Sequence, residues 1–243
     1  MDTFWVFYLA FPITAFLYAS IGHGGASGYL ALMSLFSFSP EIMKPTALVL
    51  NIFVSGISFY HYFKAGHFHK RLFLSFVVTS IPCSFLGGLF EVDATLYKQI
   101  LALFLIFAIL KILNVFGKEV LKTHKVKLWQ GALVGMVIGF FSGLIGIGGG
   151  IILTPVILLF HWGKMKEAAA VSALFILVNS ISGLAGQITK GITFSHEMFL
   201  LLCLVVVGGF LGSYFGSERF NNSVLRYVLA VVLMLASIKL VFI

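Results

Sequence analysis

The stretch SIGHGGASGYLALM, Ser20 to Met33, places Gly22, Gly24, Gly25, Gly28 and His23 inside an apolar run that otherwise reads as membrane helix. A second stretch, LIGIGGGIILTPVI from Leu144 to Ile157, interrupts another apolar run in the same way. Around these breaks the chain is 60% hydrophobic and 10% charged over 243 residues, too apolar for a soluble surface. Apolar runs near or above the length of a membrane crossing recur from end to end, which predicts an all-α polytopic membrane protein. No hydrophilic stretch is long enough for a separate soluble domain, so residues 1–243 read as a single transmembrane domain. The first run, Phe4–Ile21, lacks a basic leader and a small-residue cleavage site and reads as a retained helix.

Outward from the breaks, the chain repeats itself. Phe4–Phe38 carries the first break, and helices are predicted at about Ile42–Phe63, Leu72–Phe90 and Leu96–Phe116. A charged linker over 118–127 follows. Leu128–Phe160 then carries the second break, ahead of Ala168–Thr189, Met198–Phe215 and Val224–Ile243. Gly22, Gly24 and Gly25 align with Gly146, Gly148 and Gly149; SFLGG (Ser84–Gly88) aligns with GFLGS (Gly209–Ser213); LKIL (Leu110–Leu113) aligns with IKLV (Ile238–Val241). The repeats are thus 4–117 and 128–243, each a glycine-broken first segment followed by three helices. Duplicated halves are common in transporters, with the substrate at their interface.

Each broken segment would be roughly 50 Å long as one helix, against an apolar thickness of about 30 Å. A hairpin fits better, re-entrant or crossing twice, and either leaves an odd number of crossings per repeat. The halves are therefore expected to be inverted. Trp129 and Trp162 bracket the second broken segment as interfacial anchors would if both ends lay near one surface. With the linker lysines Lys118, Lys122, Lys125 and Lys127 in the cytoplasm, inversion also puts Lys64, Lys70, Arg71, Lys111, Lys164, Lys166, Arg219 and Arg226 inside. Only Lys44, Lys98, Lys190 and Lys239 then lie outside, as the positive-inside tendency favours. The same placement accounts for the net charge of +8 without nucleic acid.

Broken backbone inside a bilayer survives only where protein buries it or a polar cavity receives it. The start of a helix exposes unpaired N–H groups and the positive end of its dipole. Two half-length helices, about Tyr29–Phe38 and Ile151–Phe160, begin at the breaks, so Gly22, Gly24, Gly25, Ser27, Gly146, Gly148, Gly149 and Gly150 are candidate anion-binding positions. His23 adds an imidazole able to donate to an anion or carry a coupled proton. Asn51 and Ser55 share a helix face after the first break; Ser172, Asn179 and Ser182 lie on the equivalent helix, with Ser180 and Gln187. All eight acidic residues fall at or near span ends, which disfavours a cation site in mid-membrane. Cys83 and Cys203 lack metal-ligand spacing and read as packing residues, and no metal site or prosthetic group is implied.

The sequence GLIGIGGGIILTPVIL (Gly143–Leu158), followed by EAAAVSALFILVNSISG (Glu167–Gly183), resembles the TauE/SafE sulfite exporter family, also called the sulfur-anion transporter family or TSUP. The resemblance extends over essentially the whole chain. It implies a multi-pass protein of a bacterial inner membrane that moves sulfite, thiosulfate or an organosulfonate, with a coupled proton or sodium ion as a possible partner. In the first half His23 interrupts the glycines, and Ala26-Ser27 stands in place of the third glycine and its aliphatic neighbour. Two other functions compete. GASG (Gly25–Gly28) matches the GxSG of rhomboid intramembrane proteases, with Ser27 as nucleophile, but His61 and His196 sit near span ends. His61, His67 and His69 cluster at one connection, the residue type a divalent-metal carrier would use.

Overall fold

The computed structural model describes residues 2–112, 123–192, 196–219, 234–235 and 238. Its elements are α1 (Asp2–Ala19), α2 (Ala26–Leu35), α3 (Pro40–Lys64), α4 (Lys70–Leu89), α5 (Ala94–Ile112), α6 (Leu128–Ile145), α7 (Gly150–Leu159), α8 (Met165–Ile188) and α9 (His196–Glu218). Among the described residues no strand occurs, and α3, α4, α6, α8 and most of α9 are long and apolar enough to cross a bilayer. The expected last helix, Val224–Ile243, and the linker residues Lys118–Lys122 lie largely or wholly outside the described residues, as does the LKIL/IKLV correspondence in part. The protein is an integral multi-pass membrane protein.

Local chemistry explains where the elements start and stop. Pro40 at the first position of α3, with Glu41 in its first turn, costs no helical hydrogen bond and suits the positive end of the dipole. At α8 the Lys164 N–H donates to Glu167 Oε2 at 2.9 Å, closing one of the orphan donors. The half-helices α2 and α7 start differently. Their caps are Gly25 at φ +100° and Gly149 at φ +78°, a left-handed backbone that side-chain-bearing residues rarely adopt.

Both broken segments are hairpins. Phe7 near the start of α1 packs on Phe36 and Phe38 beyond the end of α2, with ring centroids 4.7 and 5.4 Å away. Deeper in, Phe11 stacks on Tyr29, so α2 runs back along α1. In the second segment the His124 N–H, ahead of α6, donates to the His161 carbonyl, beyond α7, at 2.7 Å. The ends of each segment therefore meet on one face. At 10 residues each, α2 and α7 are about 15 Å long, half a membrane; α2 is nearly all buried, and α7 is buried except toward its end at Leu159.

The helices that enclose them are held by two glycine ladders. On α6, Gly131, Gly135, Gly139 and Gly143 press against the backbone of Ser75, Phe76, Ser80 and Ser84 on α4. On α9, Gly208, Gly212 and Gly216 press against Pro12, Phe16 and Ser20 on α1. Small residues at every fourth position let backbones touch, the main source of helix association in lipid, where burial of apolar surface gives little. Both registers ascend together, so α6 is parallel to α4 and α1 to α9.

Directions of the remaining helices follow from their ends. The start of α3 shares a cavity with the ends of α4 and α8. At the other face His69, before α4, meets Glu167 on α8 at 3.2 Å, and Lys166 donates to the Ser217 carbonyl near the end of α9 at 3.0 Å. Hence α3 is antiparallel to α8, α4 to α9 and α1 to α6. The most extensive packing pairs α4 with α6, α1 with α9, α4 with α8 and α3 with α8, each joining one of α1–α5 to one of α6–α9.

Candidate functional site

The two breaks meet at one side chain. Asn51, in the middle of α3 and buried, accepts from the Ala26 N–H through Oδ1 at 3.0 Å. Its Nδ2 donates to the Ile147 carbonyl at 3.2 Å and approaches Ser180 Oγ at 3.5 Å. One amide therefore spans the start of α2 and the chain ahead of α7. A Cβ on Gly24 would strike Asn51 Oδ1, and one on Gly148 would come within 2.5 Å of Asn51 Nδ2 and 2.7 Å of Ile176. Absence of side chains is what lets the breaks converge.

A second link joins the same elements. His23 Nδ1 lies 2.9 Å from the Ile21 carbonyl, which only accepts, so Nδ1 carries the proton. Its Nε2, then an acceptor, is 3.2 Å from Thr154 Oγ1 on α7, and the same hydroxyl lies 2.7 Å from Ser172 Oγ on α8, so its one proton serves one of the two at a time.

The polar groups freed by the breaks are treated unequally. Five carbonyls are capped by side chains: Ser20 by Tyr62 at 3.0 Å, Gly24 by Tyr29 at 3.0 Å, Gly143 by Gln187 at 3.3 Å, Ile145 by Tyr97 at 3.1 Å and Ile147 by Asn51. Of the amides at the two helix starts, only that of Ala26 is capped among the described residues, by Asn51. The N–H groups of Gly24, Gly25, Ser27 and Gly28, and those of Ile147 through Ile151, find no acceptor among the described residues. Ser142 Oγ, on the turn of α6 that packs against Gly149, is buried and also has no partner. A buried amide without an acceptor costs on the order of 2–7 kcal/mol in an apolar setting, so rows of them mark a place for negative charge. The break residues from Gly22 to Ser27 and Gly146 to Gly150 are buried and closely packed.

The sequence candidates divide by location. Gly24, Asn51 and Gly148 share one locus with Ser180, which sequence reading weighed less. His23 and Ser172 share a second with Thr154. Gly22 packs on Ala169 of α8, and Gly146 on the Lys44 backbone of α3. Gly25 lies against the Tyr29 ring, Gly149 against Phe175 and Ile138, and Gly150 against Ile176. Ser55 turns its hydroxyl back to the Asn51 carbonyl at 2.6 Å. Asn179 and Ser182 face α4 instead, donating to Ser80 Oγ at 3.1 Å and the Ile81 carbonyl at 2.6 Å. Thr154 and Ser142 went unremarked in the sequence. The signal for Thr154 is its place as the lone hydroxyl in GIILTPVILL.

The rival chemistries meet specific geometry. Ser27 donates to the Tyr18 hydroxyl at 2.7 Å and makes no hydrogen bond to a histidine among the described residues. His61 Nδ1 bonds Ser213 Oγ at 2.7 Å, while His69 pairs with Glu167. Burial, with the Lys166 charge adding, holds His67 below the ordinary imidazole pKa, and Glu167 works against the shift. Among the described residues no three His, Cys, Asp or Glu side chains gather where they could hold a metal ion.

The chain matches the family model described as sulfite exporter TauE/SafE over residues 7–240. It is 36% identical over 238 residues to the probable membrane transporter protein y4hK of Sinorhizobium fredii, covering 96% of both chains. It is 23% identical over 227 residues to the probable membrane transporter protein YunE of Bacillus subtilis, covering 84% of this chain and 82% of that one. No solved structure matches the chain. A helical membrane protein with paired, backbone-exposing breaks, matched along nearly its full length, belongs to the TauE/SafE sulfite exporter family of membrane transporters.

Proposed function

We propose that this transporter moves a small sulfur-containing anion, such as sulfite, thiosulfate or an organosulfonate, across a bacterial inner membrane. The anion is held where the two breaks meet, by the amides of Gly24–Gly28 and Ile147–Ile151. All of these but the Ala26 N–H lack an acceptor among the described residues, and that row of free donors at two helix starts is the observation that carries this reading. Helix dipoles add to it, since α2 and α7 both begin there. Asn51 Oδ1 already stands in for one anionic oxygen at the Ala26 N–H. In this closed arrangement the anion enters as Asn51 and Ile176 give way.

Access alternates between two bodies that do not coincide with the sequence repeats. The antiparallel course of equivalent helices supports inverted halves, and the dominant contacts join helices from different repeats. We assign α1, α2 and α9 to one body and α4, α6 and α7 to the other, locked by the glycine ladders, moving about the crossed pair α3 and α8. His23 and Thr154, linking the two hairpins, respond to that motion, and His23 is the candidate carrier of a coupled proton.

A thermal-shift series on purified protein tests the assignment, because a ligand that binds only the folded state stabilises it. Sulfite, thiosulfate or sulfoacetate should raise the melting temperature, whereas acetate and divalent cations should not. Stabilisation by zinc or nickel alone would overturn it.

A further inference from the structure

A cavity of about 390 Å³ lies at the face where α3 starts and α4 and α8 end. Its charges are ordered by depth. At the rim Lys190 and Glu91 neutralise each other at 3.1 Å, with Glu41 exposed beside them. Farther in, Lys44 is half-buried and makes no ion pair among the described residues. Its ammonium sits 4.6 Å from the centre of the Tyr97 ring, which steadies a cation without cancelling its charge.

The inner wall touches the second break. Tyr97 caps the Ile145 carbonyl, and the Lys44 backbone packs against Gly146 at 3.1 Å from the position of a Cβ. Gln187, buried, donates through Nε2 to the Gly143 carbonyl, and its Oε1 has no donor among the described residues. Gln187, which faces the cavity, thus grips α6 three residues before Gly146, and the unpaired amides begin one residue after it. Gln187 is also the wall member held least completely, with half its amide unsatisfied.

We propose that this cavity is the outer mouth of the anion route, that Lys44 selects negative solutes there, and that Gln187 is the movable floor between the mouth and the breaks. The proposal rests on the breaks as an anion site, and it adds the path and its charge filter. Two lysines and two glutamates line the cavity, with Glu41 and Glu91 exposed at the rim and Lys44 set inside them without an ion pair among the described residues, so the positive charge nearest the inner wall favours small anions over cations there.

The test reads access, not transport. In a background with Cys83 and Cys203 replaced by serine, Val92→Cys, on the cavity wall, is labelled with negative and positive methanethiosulfonate reagents, each rate normalised to a free thiol. The negative-to-positive ratio should fall about tenfold on Lys44→Gln and be kept by Lys44→Arg. A ratio indifferent to Lys44→Gln would overturn the charge filter. Behind the floor, Ser180→Cys should label slowly and react at least several-fold faster with Gln187→Ala; an unchanged rate would overturn the floor. Circular dichroism and monodispersity confirm that each variant is folded. Because the reagents replace substrate, success here alongside no stabilisation by any sulfur anion would remove the proposed substrate and leave the mouth standing.

Discussion

Asn51 donates its side-chain amide to the Ile147 carbonyl at 3.2 Å, across 96 residues and from one repeat into the other. The same side chain accepts from Ala26. Replacing it with alanine strands a donor at one break and an acceptor at the other, costing about 1–3 kcal/mol for each buried group left unpaired. Asn51→Ala should lower the melting temperature by several degrees and abolish anion-dependent stabilisation. A variant that melts and binds like the parent would show the bridge to be incidental.

Close approach at the breaks makes a sharper demand on glycine. Gly24→Ala and Gly148→Ala both push a methyl into Asn51, and Gly148 is also at φ +71°. Gly66 provides the comparison, with φ +78° and nothing within 4 Å of a Cβ. Gly66→Ala should cost only the backbone term of about 1–2 kcal/mol and keep anion binding. The two break variants should lose binding. Equal effects at all three positions, measured by thermal shift with and without thiosulfate, would remove the special role of the breaks.

The ladders make a prediction about assembly. Leucine at Gly135 or Gly212 must separate backbones that touch through the Phe76 and Phe16 carbonyls respectively. Both variants should yield little monodisperse protein, and to a similar degree, since the contact of α6 with α4 corresponds to that of α1 with α9. Normal yield and melting for either would mean that the interface tolerates wider spacing.

Ser27 separates transport from hydrolysis. Its hydroxyl is committed to Tyr18, so a fluorophosphonate probe should leave it unlabelled, and Ser27→Ala should cost about 1 kcal/mol of stability while retaining anion binding through the backbone. Stoichiometric labelling at Ser27 would revive the protease.

Much of this architecture was legible because glycine interrupts hydropathy visibly. Gly22–Gly25 and Gly146–Gly149 marked the breaks, and excess length over a membrane's thickness marked the hairpins. The site was legible only in outline. Asn51 and Asn179 look alike in sequence, each polar in mid-helix with serines nearby, yet one bridges the breaks and the other turns to α4. Residue type does not fix the rotation of a helix against its neighbours. Capping groups such as Tyr29, Tyr62 and Tyr97 were hidden for a related reason: the partner of a freed carbonyl is chosen by tertiary packing. The four-residue glycine spacing of α6 and α9 is plain in the sequence, but its partner carbonyls are not.

The central claim is that the unpaired amides at the two breaks hold an anion. Crystals grown with selenate, a heavy analogue of a sulfur oxyanion, test it directly through the anomalous signal of selenium in methionine-unsubstituted protein. A peak within about 4 Å of the amides of both Gly24–Gly28 and Ile147–Ile151, lost in Gly148→Ala, is the expected result. Selenate bound only elsewhere, with those amides still packed against protein at saturating concentration, would contradict it.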